Sequence, residues 1–296
     1  LNGLSNAENS MDSFLIFRNN SMVTRELSLR QPYSQNNQAN NFIIENNYLA
    51  GINLNNSKNV IVKNNRLNSD PNSFFYGLSL DNVNQLLVDS NRFWASKFRG
   101  DSNVIIKNNI TYTYRDDWGV LLENCFKTQV ENNFINNNYG IVSYGYYSDS
   151  VLVKKNTLVN SQPDFGYGMQ FFDTRNNLLV DSNSVTLYTT EGIRCRTPEN
   201  SNCVISNNKI LRPRDIGVIL DGDGTKCINN RILGSISGNG ILVLGNNSFV
   251  SNNYIQAQGL GIAKGLSVRE TANGSKIVFN SEIGRASCRE RVSSPV

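Results

Sequence analysis

The chain has 296 residues, a formal net charge of +4 from 28 Lys and Arg against 24 Asp and Glu, and no histidine. The missing imidazole excludes His-based triads, His general bases and His metal ligands within these residues. No basic block interleaved with aromatics and no apolar run of membrane-spanning length occurs, which argues against a nucleic-acid partner and a spanning helix.

Asparagine accounts for about one residue in six. The Val, Ile and Leu around these asparagines are strictly placed, so the amides read as structural rather than as a mark of disorder. The opening Gly3-Leu4-Ser5-Asn6 reads as the interior of a coil, as though the text were cut there. A phrase, apolar-x-apolar-x-x-Asn-x-apolar, then begins at Leu15, Phe17, Asn20 and Met22. It recurs at Phe42, Ile44, Asn47 and Leu49 and at Val60, Val62, Asn65 and Leu67. Later copies centre on Asn91, Asn109, Asn133, Asn156, Asn183, Asn208, Asn230 and Asn253, with a degenerate one on Ser281. Residues at two-residue spacing, such as Val60 and Val62, share one side of a strand, and two asparagines then turn the chain.

Between these phrases stands a second one, Gly-apolar-x-apolar. Copies begin at Gly51, Gly77, Gly119, Gly140, Gly168, Gly192, Gly217 and Gly240. Glycine there permits a positive φ or a tight corner before a strand. Each unit thus supplies at least two short strands and no convincing helix. Such units cannot bury their own apolar side and must stack. Stacking at about 4.8 Å pairs every strand in parallel with its equivalents and lines the asparagines up as an amide ladder. The prediction is an all-β, right-handed parallel β-helix over residues 1–283, of about 11–13 coils and roughly 50–60 Å long. Leucine-rich repeats share the Asn spacing, but they need an apolar residue three places earlier, where this chain has Ala39, Ser57, Asp101, Ser148, Arg175, Asn200 and Gly222. Residues 284–296 lose both patterns and resemble a vector- or assembly-derived scar. With both ends reading as cut, the chain is expected to be a fragment, and a missing leader says nothing about secretion. Cys195, Cys203 and Cys227 fall on apolar strand positions and read as core packing.

The phrases at 59–67 and 177–185 resemble the repeat of the pectin-lyase-like right-handed β-helix superfamily. That resemblance implies a polysaccharide partner and an extracellular or cell-surface location. It does not carry an activity with it: no Gly-His-Gly can occur, Asp116-Asp117 has unmatched flanks, Arg212-Pro213-Arg214-Asp215 is at best a superficial lyase motif, and no calcium nonapeptide is present.

Outward positions of the Gly-led strands should stack into columns. Four places after the glycine stand Asn55, Asp81, Glu123, Tyr144, Phe172, Arg196, Asp221 and Leu244, and two places after it Gln170 and Arg194. Asp173, Glu191, Asp215 and Asp223 lie beside them, with Tyr146, Tyr147, Phe165 and Tyr167 in neighbouring loops. Flat rings with charged groups are what a sugar chain requires, so Glu123, Tyr144, Tyr167 and Phe172 are candidate substrate contacts. A hydrolase would need a carboxylate pair, Asp173 with Glu191 or Asp221 with Glu191. A lyase would need a cation and a base, roles open to Arg194 or Arg196, with calcium on Asp221 and Asp223. The plain alternative is that all of these are solvated strand residues pairing with each other, and that Asp221-Gly222-Asp223-Gly224 is a turn. A rival to any enzyme is a structural or adhesive rod. The position between the inward strand residues is apolar at Ile16, Ile43, Ile61, Leu87, Ile105, Leu152, Leu179, Val204 and Phe249, a stripe that a homo-oligomer would cover.

Overall fold

The computed structural model describes residues 15–29, 39–68, 76–112, 118–145, 148–160, 166–188, 190–198, 202–235, 237–257 and 264–283. Within them every element is a strand and every pairing is parallel. The tail at 284–296, Asp116-Asp117, Tyr146, Tyr147 and Phe165 lie outside these residues.

Three sheets wrap one interior. The pre-turn sheet carries the strands that end at the asparagines, such as Ser102–Lys107, Phe126–Glu131 and Asp149–Lys154. The post-turn sheet carries the short strands just after them, such as Ile110–Tyr112, Phe134–Asn136 and Thr157–Val159. The Gly-led sheet carries Ser96–Arg99, Trp118–Glu123, Tyr139–Tyr144, Tyr167–Phe172, Glu191–Arg196 and Ile216–Leu220. Alternate residues point inward, so Val104, Ile106, Val130, Ile141, Val153, Phe171 and Ile193 are each fully buried in one continuous core. The phrases predict at least two strands per coil, and the described coils carry three. The third sheet is made by the residues around the last apolar position of the Asn phrase, which are too short to show alternation.

The corner between the pre- and post-turn sheets is built by two residues with separate tasks. The first takes a left-handed conformation: Asn46, Asn64, Asn108, Asn132, Asn207 and Asn252 all have φ between 52° and 56°, the region asparagine tolerates best after glycine. The second builds the ladder. Asn109 Nδ2 donates to Val88 O at 3.0 Å, Lys107 O at 2.8 Å and Asn133 Oδ1 at 3.0 Å, while its own Oδ1 accepts from the backbone N–H and the amide of Asn91. The pattern runs unbroken from Asn20 to Asn280. The last rung corrects the sequence reading: Asn280, not Ser281, completes the ladder, because Phe279 takes the left-handed place normally held by an asparagine. The register then puts Glu282 opposite the core residue Ile255, so this copy is degenerate at its final apolar position.

The glycine of the second phrase is required by space rather than by φ, which is not positive at these positions. A Cβ on Gly168 would sit 2.3 Å from the Gly192 carbonyl oxygen and 2.6 Å from Val185 Cγ1, and Gly140 and Gly192 are confined in the same way. There the Gly-led strand leaves the corner against both the next coil and the post-turn sheet. Of the three cysteines expected to pack in the core, Cys227 packs against the ladder amides, whereas Cys195 and Cys203 form a disulfide across the interior of one coil. The cysteine spacing carried no signal for that bond, because two sheets of one coil face each other only after the chain has turned.

Candidate functional site

The outer face of the Gly-led sheet holds three columns running along the axis. The first stands one place before the glycine: Trp118, Tyr139, Tyr167 and then Glu191, paired in register. Their rings pack on one another, Trp118 to Tyr139 at 4.6 Å between centroids and Tyr139 to Tyr167 at 5.7 Å, nearly parallel. The second column comprises Lys97, Leu121, Val142, Gln170, Arg194 and Ile219. The third is Asn55, Asp81, Arg99, Glu123 and Tyr144, continuing to Phe172 and Arg196.

Where the aromatic column ends, a polar network begins. Glu191 is buried, and its carboxylate accepts from Gln170 Nε2 at 3.0 Å and from Arg194 at 3.1 Å. Arg194 turns its other terminal nitrogen to Asp221 Oδ2 at 2.7 Å and lies over the Phe172 ring. Burial alone would make that guanidinium easier to deprotonate, but the two carboxylates outweigh it and hold its proton more firmly than usual. Its Nε is buried with no acceptor among the described residues. Farther along the face, Glu123 accepts from Arg99 at 2.9 Å and meets Lys97 at 3.1 Å. Burial pushes Glu123 up, yet these two cations bring it below the ordinary glutamate value. Tyr144, in register with Glu123, has its phenol pushed up by burial and then by that carboxylate.

The family model described as the right handed beta helix region matches residues 33–185 and 191–287. The chain belongs to that family. Among solved structures, the β-helix is similar to the periplasmic alginate epimerase AlgG, in a double-mutant form, at 13% identity and a TM-score of 0.57, covering 82% of this chain and 75% of that one. It is also similar to PfbA, a surface adhesin of Streptococcus pneumoniae, at 12% identity and a TM-score of 0.53, covering 90% and 78%. At these identities the likeness is one of fold. No curated protein sequence matches the chain.

On this right-handed β-helix the expected site residues separate into groups. Glu191, Arg194, Asp221 and Phe172 come together, and Glu123 stacks directly on Tyr144. Asp173 does not join them. Tyr167 pairs with Glu191 at the start of the strand Tyr167–Phe172, whereas Asp173 follows its far end, where its backbone N–H donates to Arg196 O at 2.9 Å. Asp173 instead closes its strand at a φ of 56°. The carboxylate pair Asp173–Glu191 is therefore not available, and between Glu191 and Asp221 the gap is filled by Arg194. Arg194 cannot serve as base with its proton so held, whereas Arg196 is exposed and forms no ion pair among the described residues. Asp223 is spent on the Asn246 backbone N–H at 2.7 Å and Asp221 on Arg194, so the calcium pair is not assembled. Among the described residues no group of three or more Asp, Glu, Cys or His is placed to hold a metal.

Sequence reasoning missed Trp118 and Tyr139, although their signal is plain: an aromatic immediately precedes the repeat glycine in three successive coils. It also missed Lys97 and Arg99, because their strand carries Ala95 in the glycine's place and so lacks the second phrase.

Proposed function

We propose that this protein binds a polysaccharide along the outer face of the Gly-led sheet, from about residue 118 to residue 221. The observation that carries the reading is the ring column Trp118–Tyr139–Tyr167 leading into the Gln170–Glu191–Arg194–Asp221 network. Stacked aromatics offer apolar surface to the flat sides of sugar rings, and the charged and amide groups of the network offer directed bonds to hydroxyls. Binding is favoured over cleavage by the same geometry. A hydrolase keeps two carboxylates facing a scissile bond, and here an arginine side chain stands between them. The similarity to an alginate epimerase and to a surface adhesin fits both a carbohydrate partner and a position outside the cell or at its surface.

The test is affinity electrophoresis and calorimetry against neutral and uronate polysaccharides. Tyr139→Ala with Arg196→Ala is expected to weaken binding at least ten-fold while leaving the melting curve nearly unchanged. Binding that survives intact would reject this face. Absorbance of an unsaturated product, followed with the same polymers, addresses a lyase directly, and its appearance would replace the binding reading.

A second reading, a self-associating or adhesive rod, is supported by the apolar stripe. Ile16, Ile43, Ile61, Leu87 and Ile105 stack in register, as do Leu152, Leu179 and Val204, with Gln129 and Lys226 interrupting the line. Ile16, Ile105 and Leu179 are 43%, 37% and 38% exposed.

A further inference from the structure

A second constellation lies on a different sheet, in the N-terminal half of the rod. Arg66 and Arg92 occupy the same outward position of the post-turn sheet in successive coils and are paired in register, so two like charges stand about 4.8 Å apart along the backbone stack. All ion pairs among the described residues involve other cations, and neither arginine has a carboxylate partner there. Each guanidinium is instead held over a ring, Arg66 over Tyr48 at 5.1 Å and Arg92 over Tyr112 at 4.7 Å. Just past the ends of the same two strands, Arg66–Leu67 and Arg92–Phe93, stand Asn68 and Trp94. Together Arg66, Asn68, Arg92, Trp94 and Tyr112 line a concavity floored by the buried Leu67 and Phe93.

Two adjacent cations without counter-charge repel, which is unfavourable unless an anion is shared between them. Ring stacking orients both guanidinium planes and restricts their rotamers, so less order has to be imposed when they bind. The indole and phenol beside them give the concavity an apolar wall as well as a charged one. A simple inorganic anion would use only the arginines; a flat ring bearing an acidic substituent would use both walls.

We infer that this concavity is a binding site for an acidic sugar unit, with its carboxylate or sulfate between Arg66 and Arg92 and its ring against Trp94. The residues are distinct from those of the Gly-led face. Only the choice of a sugar, among anionic rings, rests on the proposed function. The site makes an acidic polysaccharide the preferred ligand and gives the rod a second point of attachment, which raises avidity for a long chain without any change at the first face.

The chain contains only two tryptophans, Trp94 and Trp118, one in each site, so single-tryptophan variants report them separately. With Trp118→Phe, the emission of Trp94 is expected to change saturably on titration with oligogalacturonate or dextran sulfate, and not with neutral dextran. Comparing the two acidic polymers decides between carboxylate and sulfate. Adding Arg66→Gln and Arg92→Gln should weaken that response at least ten-fold with circular dichroism unchanged. An unresponsive Trp94, an equal response to neutral dextran, an equal affinity for inorganic sulfate alone, or indifference to the double Arg variant would each overturn the inference. With Trp94→Phe, Trp118 reports the Gly-led face, so silence there alongside a responding Trp94 would reject the first site and leave this one standing.

Discussion

At the residue scale, the asparagine pairs divide their labour, and each half predicts a different outcome. Asn156 bonds Val130 O, Lys154 O and Asn183 Oδ1, and accepts from Asn133. Asn156→Ala strands these buried groups and is expected to cost about 2–4 kcal/mol, read from denaturant midpoints. Lys155, the residue before it, is exposed and sits at a φ of 55°, where lysine is unfavourable. Lys155→Asn should stabilise the fold by up to about 1 kcal/mol and raise the thermal midpoint. Both roles were partly legible: Asn-Asn announces a turn, but which asparagine bends and which bonds is visible only once coils stack. In the sequence Asp101 is only a non-apolar residue three places before an Asn phrase. It is wholly buried, Oδ1 accepts from Val83 N at 2.6 Å and Oδ2 has no partner. Burial pushes its carboxyl well above the ordinary value. A raised folded value means the native state holds the proton longer than the unfolded chain, so Asp101 costs stability progressively as pH rises above the ordinary aspartate range. Asp101→Asn should remove that loss, and its advantage in thermal midpoint over the parent should grow from pH 4 toward neutrality.

At the scale of the strand, the repeat glycine is a packing device. A methyl group at Gly168 would meet the Gly192 carbonyl and Val185, so Gly168→Ala is expected to cost about 1–3 kcal/mol or more. Gly224, whose position has open space around it but a φ of 69°, depends on conformation instead, so Gly224→Asn should be tolerated where Gly168→Asn is not. Thermal melts of the two pairs separate the causes. The strand Ser96–Arg99 shows what replaces the glycine: Ala95 holds the corner while Ser96 Oγ donates to Gly119 O at 2.9 Å. Because that substitution broke the phrase, the charges on Lys97 and Arg99 escaped notice, although they set the electrostatics around Glu123. Glu123's depressed value works in the opposite sense from Asp101. Its contribution is present above the ordinary glutamate range and is lost as pH falls through the lowered folded value.

At the scale of the molecule, the rod places three chemically different surfaces on three sheets: an aromatic and charged face, an arginine-rich concavity and an interrupted apolar stripe. A solenoid's stability is a sum over neighbouring coils, so substitutions on one face should leave the others intact. The stripe predicts self-association. Ile61→Lys, in the middle of its longest unbroken run, should shift the sedimentation profile toward monomer if the rod associates there, and a parent protein that sediments as a clean monomer would remove that role. The mixed-sign Gly-led face predicts weak dependence of its binding on salt, whereas binding at Arg66 and Arg92 should fall steeply as ionic strength rises.

Periodicity alone determined the architecture, because a repeated apolar-x-apolar-x-x-Asn phrase has one economical way to bury its side chains and satisfy its amides. It also placed the outward columns, since a pleat of period two sends Glu123, Tyr144, Phe172 and Arg196 to the same side in successive coils. Tertiary structure decided which of those neighbours interact. Side chains far apart in sequence meet through the stacking register, yet their positions along each strand separate Asp173 from Glu191 and let Arg194 span from Glu191 to Asp221. No spacing rule in the text encodes that reach, because it depends on where a long, flexible arginine finds its carboxylates once the coils are in contact.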